Sequence, residues 1–352
     1  MGYQPELIEA GSFAEIEHLA PEWDRLAAAR RWPFAEFAWL RACAEHLAPS
    51  SRIAIHLSFR EGSLAAAAVF CRGRRIGAAF EIVGGALHEA NVWLSEDSGA
   101  TSALLRRLGS FGVPFVLSRM LSPAEIERDV SAAARRGRLL TINASGAPYL
   151  PLDGGLERFN GDLSANRRGS LARKRRKLER LGRLEFEAAH PGEPDAEREL
   201  AEFERIEAAG WKGERGSSIS QRPGFHGFFA SALAGMARSG RLRVDRLKLD
   251  GKTLAIQFGL VSGRRYFLIK PTYDEAWSDY SPGMLLTYEA IKQSIAQGLE
   301  SYEFLGGEDA WKLQWTSLVH PTRTWVFYPY SAAGAWRFAS DAVEAARRRL
   351  FR

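Results

Sequence analysis

Cysteine is nearly absent from this chain. Cys43 and Cys71 are the two present in 352 residues, with no paired spacing, which excludes a disulfide framework or a cysteine-rich zinc site and fits a reducing compartment. Long apolar runs are missing as well: the longest, Leu64 to Cys71, is far too short for a membrane span. The opening MGYQPELIEAG has acids where a secretory signal needs a basic start and an apolar run, and it lacks the Ser or Thr of a myristoylation signal. A cytoplasmic location is therefore expected. The chain also has no Walker A motif, no GxGxxG after a strand, no GxSxG and no HExxH, and its seven histidines are scattered. These absences argue against a P-loop ATPase, a typical dinucleotide enzyme, an α/β-hydrolase and a zincin, and no metal is expected.

What is present suits a globular protein. The length exceeds a usual single core, so two domains are expected. Hydrophobic residues at 46% and charged residues at 26% exclude disorder. Net charge is +6 with a sequence pI near 9.4, which favours anionic partners without naming one.

The first half opens with expected helices at Pro21 to Ala29 and Ala35 to Leu47. Strands follow at Arg52 to Phe59, Leu64 to Cys71 and Ile76 to Val83. A helix at Thr101 to Leu108, a strand at Val113 to Ser118, a helix at Pro123 to Arg136 and a strand at Arg138 to Ile142 complete it. The join is basic: between Asn166 and Lys177, seven of twelve residues are Lys or Arg, and Leu171, Leu178 and Leu181 form a narrow stripe. This reads as a basic helix between domains. The second half repeats the plan, with a strand at Leu184 to Ala188, a helix at Asp195 to Ala209, a glycine-rich loop at 210–218 and a helix at Phe225 to Arg238. Strands at Leu242 to Leu249, Thr253 to Val261 and Arg265 to Lys270 are joined at Asp250-Gly251 and Ser262-Gly263, strong hairpin signals. The expected fold is α/β (α+β), with a mixed, mostly antiparallel sheet flanked by helices in each half. The segments are 1–158, the basic helix 159–183, 184–330 and a C-terminal helix 331–352. That last helix aligns Trp336, Val343 and Leu350 and ends in arginines, a candidate membrane-surface helix.

The stretch from Arg264 to Lys312 organises the rest. Pro271 should stop the strand before it. Ser281 stands at a helix N-cap position with Pro282 at the first turn, and apolar side chains recur at Leu285, Tyr288, Ile291 and Ile295. A second strand, Leu299 to Leu305, leads into a polar, indole-rich loop. The helix start at Ser281, Pro282, Gly283 and Met284 can receive phosphate on its backbone N–H groups; an ordinary capped helix has the same spacing.

Several pieces in order resemble the CelD/BcsL-type acetyltransferases, a branch of the GNAT acyltransferase superfamily. They are Leu247 to Lys252 with Ala255 to Phe258, Lys270 to Asp274, Ser281 to Gly283, and Tyr302 to Gly307 with Trp311, Lys312 and Trp315. Trp211-Lys212-Gly213 and the basic run around Arg173 to Arg180 fit as well. The resemblance covers about residues 160 to 320, and the N-terminal half more loosely. It implies tandem GNAT-like domains, the first degenerate, and two strands that splay around the pantetheine of acyl-CoA. The pyrophosphate would rest on the helix beginning at Ser281, with Lys270 as a further phosphate contact. The commoner superfamily loop carries two glycines; this segment offers one.

The same resemblance implies direct transfer to an amine or hydroxyl. Glu303 and Asp274 are the candidate bases, and Tyr273 or Tyr302 the candidate acid for the leaving thiolate. Trp211, Lys212, Trp277, Glu308, Asp309, Trp311, Lys312 and Trp315 are candidates for the acceptor side. For each of them a salt bridge, turn or core position is the ordinary alternative. The expected activity is an acyl-CoA-dependent N- or O-acyltransferase acting on a cell-envelope precursor, a polysaccharide sugar or a long-chain amine, peripheral to the membrane. A FemAB-like aminoacyl-tRNA-dependent transferase and a non-catalytic GNAT-fold binding protein are the alternatives.

Overall fold

The computed structural model describes residues 6–73, 78–87, 90–121, 123–209 and 219–350. In chain order the elements are β1 (Glu6–Ala10), α1 (Ala20–Ala29), α2 (Phe37–Ala42), β2 (Arg52–Arg60), β3 (Ser63–Arg72), β4 (Phe80–Ile82), β5 (Leu94–Ser95), α3 (Ser98–Ser110), β6 (Phe115–Leu121), α4 (Pro123–Ala133) and β7 (Gly137–Pro151). Then follow α5 (Gly155–Asp162), α6 (Ala165–Glu179), β8 (Leu184–Ala189), α7 (Ala196–Ala208), α8 (Phe225–Arg238), β9 (Leu242–Leu249), β10 (Lys252–Ser262), β11 (Arg265–Tyr273), α9 (Pro282–Ala296), β12 (Ser301–Glu303), β13 (Val319–Pro329) and α10 (Ala332–Leu350). The hairpin signals act as expected. Asp250 and Gly251 both take positive φ, 47° and 79°, the mirror-image turn whose twist matches the strands it joins.

The chain forms two compact units, residues 1–146 with 320–352 and residues 147–319. In the first, strands run in the order β1-β2-β3-β4-β6-β13, with β5 beside β3. Its core joins Phe70, Phe115, Trp325 and Phe327 to the inner faces of α3 and α4. In the second, the order is β12-β11-β10-β9-β8, with the end of β7 against β12. Each unit holds a parallel pair reached through a helix, β4 with β6 and β11 with β12, beside an antiparallel set. The mixed α/β class is the one the sequence pattern implies.

Several expectations change. The unit boundaries do not follow the segments at 158, 183 and 330: α6 belongs to the second unit, and β13 and α10 to the first. The reason is β13, whose residues Val326 and Phe327 pair with Val116 and Phe115 of β6. Neither β1 nor β13 stands out in sequence, since β1 is short and carries two glutamates, and prolines punctuate β13. Residues 143–151, beyond the expected strand end at Ile142, extend β7. The third strand is short, Phe80–Ile82, and the expected start at Ile76 lies outside the described residues. Pro271 does not end β11, which pairs with β10 as far as Tyr273. Proline is tolerated there because β11 has no ladder with β12 past Phe267.

Candidate active site

The feature that builds the site is an interrupted ladder. β11 and β12 pair in parallel over three positions, Arg265 with Ser301, Tyr266 with Tyr302 and Phe267 with Glu303. β12 then ends, and Phe304 turns its N–H to Pro148 instead. β11 continues to Tyr273 against β10 alone, so the two strands part beyond Phe267. At the point of parting, Phe258 pairs with Lys270 and Gly259 with Leu268, which leaves Ile269 as an extra residue in β11. Such a bulge turns backbone groups out of the ladder.

One face of this sheet carries α9. Tyr266, Tyr302, Leu286 and Ala290 share a core there, and the Tyr266 and Tyr302 rings stack at 4.6 Å. Beneath them lies a buried polar network. Gln257 Nε2 donates to Asp245 Oδ2 at 3.0 Å and contacts both tyrosine hydroxyls, Tyr266 donates to Asp245 at 2.8 Å, and Arg243 Nε donates to Asp245 at 2.7 Å. Burial, reinforced by the Asp245 charge, pushes the Tyr266 and Tyr302 hydroxyls well above the ordinary tyrosine range. Both stay protonated, and Tyr302 is a network member rather than a free acid. Gly259 is required here: a Cβ would come within 2.2 Å of the Tyr266 ring.

The start of α9 departs from a simple cap. Ser281 adopts left-handed backbone angles, φ 49° and ψ 55°, and its side chain makes no cap hydrogen bond. Its hydroxyl instead accepts from Lys174 of α6. Arg175 holds α6 to α9 through Glu289 at 2.6 Å. A lysine ammonium is thus brought to the positive end of a helix, and among the described residues no carboxylate pairs with it. Tyr273 lies over the same turn, so that a Cβ on Gly283 would meet its ring at 3.2 Å. Pro282 and Met284 complete the turn. The groups here that suit phosphate are the Lys174 ammonium, the Ser281 hydroxyl and the N–H of Gly283; Pro282 has no N–H, and those of Met284 and Leu285 donate to Ser281 O.

The opposite face carries α7 and α8. Residues paired across a ladder share a face, so Glu303 and Lys270 lie on this side with Phe258, on which Phe203 of α7 stacks at 4.6 Å. Glu303 is buried, accepts from Ser301 Oγ at 2.6 Å and stands 3.9 Å from Arg265. Lys270 pairs with the buried Glu207 of α7 at 3.0 Å. It therefore lies on the face away from Ser281 to Met284, with which the sequence grouped it. Glu207 also receives the N–H of Ile219 at 2.7 Å. Neither Glu207 nor Lys174 was singled out from sequence. The first is one of many carboxylates on an acidic helix, and the second one cation in a run of seven.

The remaining candidates take structural positions. Asp274 accepts from the N–H of Ala276 at 3.1 Å and pairs with Lys252 at 3.1 Å. Trp277 packs on Tyr280 beside Lys252. Lys312 is buried and reaches Leu305 O at 2.8 Å, Gly307 O at 3.3 Å and Asp309 at 2.8 Å, tying the loop after β12 together. Trp311 packs edge-on against Phe304, and Trp315 stacks on Phe159 below Arg167. Glu308 and Asp309 are exposed. Trp211 and Lys212 lie outside the described residues.

Residues 165–313 match the family model described as acetyltransferase (GNAT) domain. The chain carries a GNAT acetyltransferase domain. This makes the protein an acyltransferase, and the interrupted ladder, α9 and Glu303 all fall within the GNAT segment. Its folded chain is similar to solved structures over most of its length. One is the C-terminal domain of a protein described as a lysylphosphatidylglycerol synthetase from Agrobacterium fabrum, at TM-score 0.60 and 14% identity, covering 94% of this chain and 96% of that one. A conserved protein of unknown function from Bacteroides thetaiotaomicron aligns at TM-score 0.55 and 12% identity, over 92% and 99% of the two chains. FemX aligns at TM-score 0.54 and 12% identity, over 82% and 90%. At these identities the likeness is one of fold. A search of curated proteins gave no significant match.

Proposed function

We propose that the GNAT domain is an acyl-CoA-dependent N- or O-acyltransferase that moves the acyl group directly from thioester to acceptor. The observation that carries this reading is the opening between β11 and β12, with a phosphate-competent turn on one face and a buried carboxylate on the other. The donor's phosphates meet Lys174, Ser281 and the first turn of α9, and its pantetheine runs through the opening. Glu303 accepts the proton of the acceptor amine or hydroxyl. Backbone N–H groups at the Ile269 bulge face the charge that develops on the acyl oxygen. Tyr273, beside Gly283, returns a proton to the departing thiolate. No covalent nucleophile is needed, in keeping with the missing serine and cysteine motifs.

The acceptor belongs to the cell envelope in this reading, as a sugar or a long-chain amine, and the chain works at the membrane surface. The phospholipid for which the Agrobacterium protein is named supports an amphiphilic acceptor. Incubation with acyl-CoAs and a panel of aminosugars and long-chain amines should release free thiol only when both substrates are present. No CoA binding by calorimetry and no thiol release would sink the proposal.

One observation favours a second reading, aminoacyl transfer from tRNA. Arg173, Arg176, Lys177 and Arg180 line the solvent side of α6, opposite its buried Leu171 and Leu178, and none has an ion-pair partner among the described residues. Phosphodiester contacts need only such cations. Binding of tRNA that weakens steeply with salt, together with no affinity for CoA, would replace the first reading with this one.

A further inference from the structure

The last helix of the first unit is built the wrong way round for a soluble surface helix. At about 100° per residue, Ala335, Trp336, Ala339, Ala342, Val343 and Ala346 fall on one side of α10, and all of them are exposed. The side turned to the unit sets one aromatic contact, Phe338 on Tyr328 at 5.2 Å, beside charge. Arg337 lies 2.9 Å from Asp341 and 3.7 Å from Glu81, and Asp341 accepts from the Tyr328 hydroxyl at 2.9 Å. A helix that docks only on its own domain has the reverse arrangement, apolar inward and charged outward.

Large apolar groups gather around this face. Trp336 is 62% exposed, Val343 53% and Phe338 39%, and Tyr330, just before the helix, is 82% exposed. At the base of α10, an open groove of about 490 Å3 runs between Tyr328, Tyr330, Ala335 and Phe338. Its rim is cationic: Arg138 of β7 sits 5.0 Å from the centre of the Phe338 ring. Further along β7, Leu140 and Ile142 share the face of Arg138 by strand alternation and are exposed as well. Arg135, Arg136 and Arg347 are exposed around the patch.

We propose that this face of α10, with the groove and its arginine rim, docks on an anionic phospholipid surface. Aromatic side chains with polar tips settle at the level of lipid headgroups, and arginines beside them meet the negative leaflet. Among the described residues no helix is long and apolar enough to cross a membrane, so the contact is interfacial. A second copy of the chain is a poorer occupant. The apolar side of α10 from 335 to 346 is about 16 Å long and about 10 Å wide, on the order of 200 Å2, against roughly 800 Å2 per partner in a stable complex. The surface rests on the peripheral location of the proposed acyltransferase but not on its chemistry.

The test is co-sedimentation of the full chain with vesicles of phosphatidylcholine alone and of phosphatidylcholine with phosphatidylglycerol. Binding is expected only with the anionic lipid. The exposed pair Trp336→Ser/Val343→Asn should weaken it about tenfold, with an unchanged circular dichroism spectrum and unchanged thiol release on soluble acceptors. Equal co-sedimentation of the variant and the parent, or no binding by the parent, overturns the surface. So does a dimer seen by light scattering that the same pair of substitutions dissolves, which would make a second copy the occupant. A chain that turns over acyl-CoA yet ignores vesicles overturns the docking surface alone. One that binds vesicles without turnover supports the surface and overturns the catalytic reading alone.

Discussion

Glu303 is the side chain on which the proposed chemistry depends. It is buried on the α7 face, at the last pair before the strands part, and its hydrogen bond from Ser301 orients it. Glu303→Gln keeps the volume and that hydrogen bond but removes the base. Thiol release should fall about a hundredfold or more while the melting temperature stays near the parent's; near-parental turnover would assign the base elsewhere. Lys174 acts on the donor alone in this reading. Lys174→Gln should raise the KM for acyl-CoA about tenfold through one lost charge-assisted contact, with kcat little changed, and an unchanged KM would remove it from the donor site. Gly259 has a packing role. Because a Cβ would overlap the Tyr266 ring, Gly259→Ala should cost about 2 kcal/mol or more in chemical denaturation.

At the scale of elements, the helices that follow the hairpin strands in the two units, α3 and α9, begin differently. The start of α3 is closed by its own sequence: Asp97 accepts from the N–H of Ala100 at 2.9 Å and pairs with Arg60 at 2.7 Å. The Ala100 bond first, and Arg60 next, hold the Asp97 carboxyl below its ordinary range. A carboxylate already occupies the position an incoming phosphate would need. The start of α9 has instead a serine whose side chain does not cap and a lysine from α6. This contrast fits the proposed placing of the donor in the second unit. Asp97→Ala should cost about 1 kcal/mol near neutral pH. A lowered folded-state pKa contributes stability above the unfolded value of about 4, and that contribution is lost as pH falls through the folded value. The gap between parent and variant in denaturation should therefore close in acid; a gap that persists at low pH would mean the carboxylate charge is not what caps the helix.

In the whole molecule, composition and pattern were enough for the class of fold. The Asp-Gly turn, the alternating runs around it and the spacing of α7 and α8 are local signals, and local backbone preferences satisfied them nearly residue for residue. The resemblance around Ser281 and Tyr302 likewise lay in contiguous motifs. The division into units was not legible, because it depends on β13 returning to pair with β6 some two hundred residues earlier in the chain, a match that no local window contains. Nor was the length of β7, which runs past the expected end at Ile142 to Pro151. The proposed site was legible in its elements but not in its contacts. Sequence named Glu303 and the α9 turn as candidates. It put Lys270 with the phosphate group, although the bulge at Ile269 sets it on the other face with Glu207. It could not choose Lys174 from the cations of α6, nor show that α10 turns Arg337 and Asp341 to its own unit. The sequence by itself determined most of the helices and the hairpin strands, because those depend on side chains a few residues apart. Only the tertiary structure decided which carboxylate lies at the last β11–β12 pair, which lysine reaches Ser281 and which side of α10 is exposed, because each follows from packing between segments far apart in the chain.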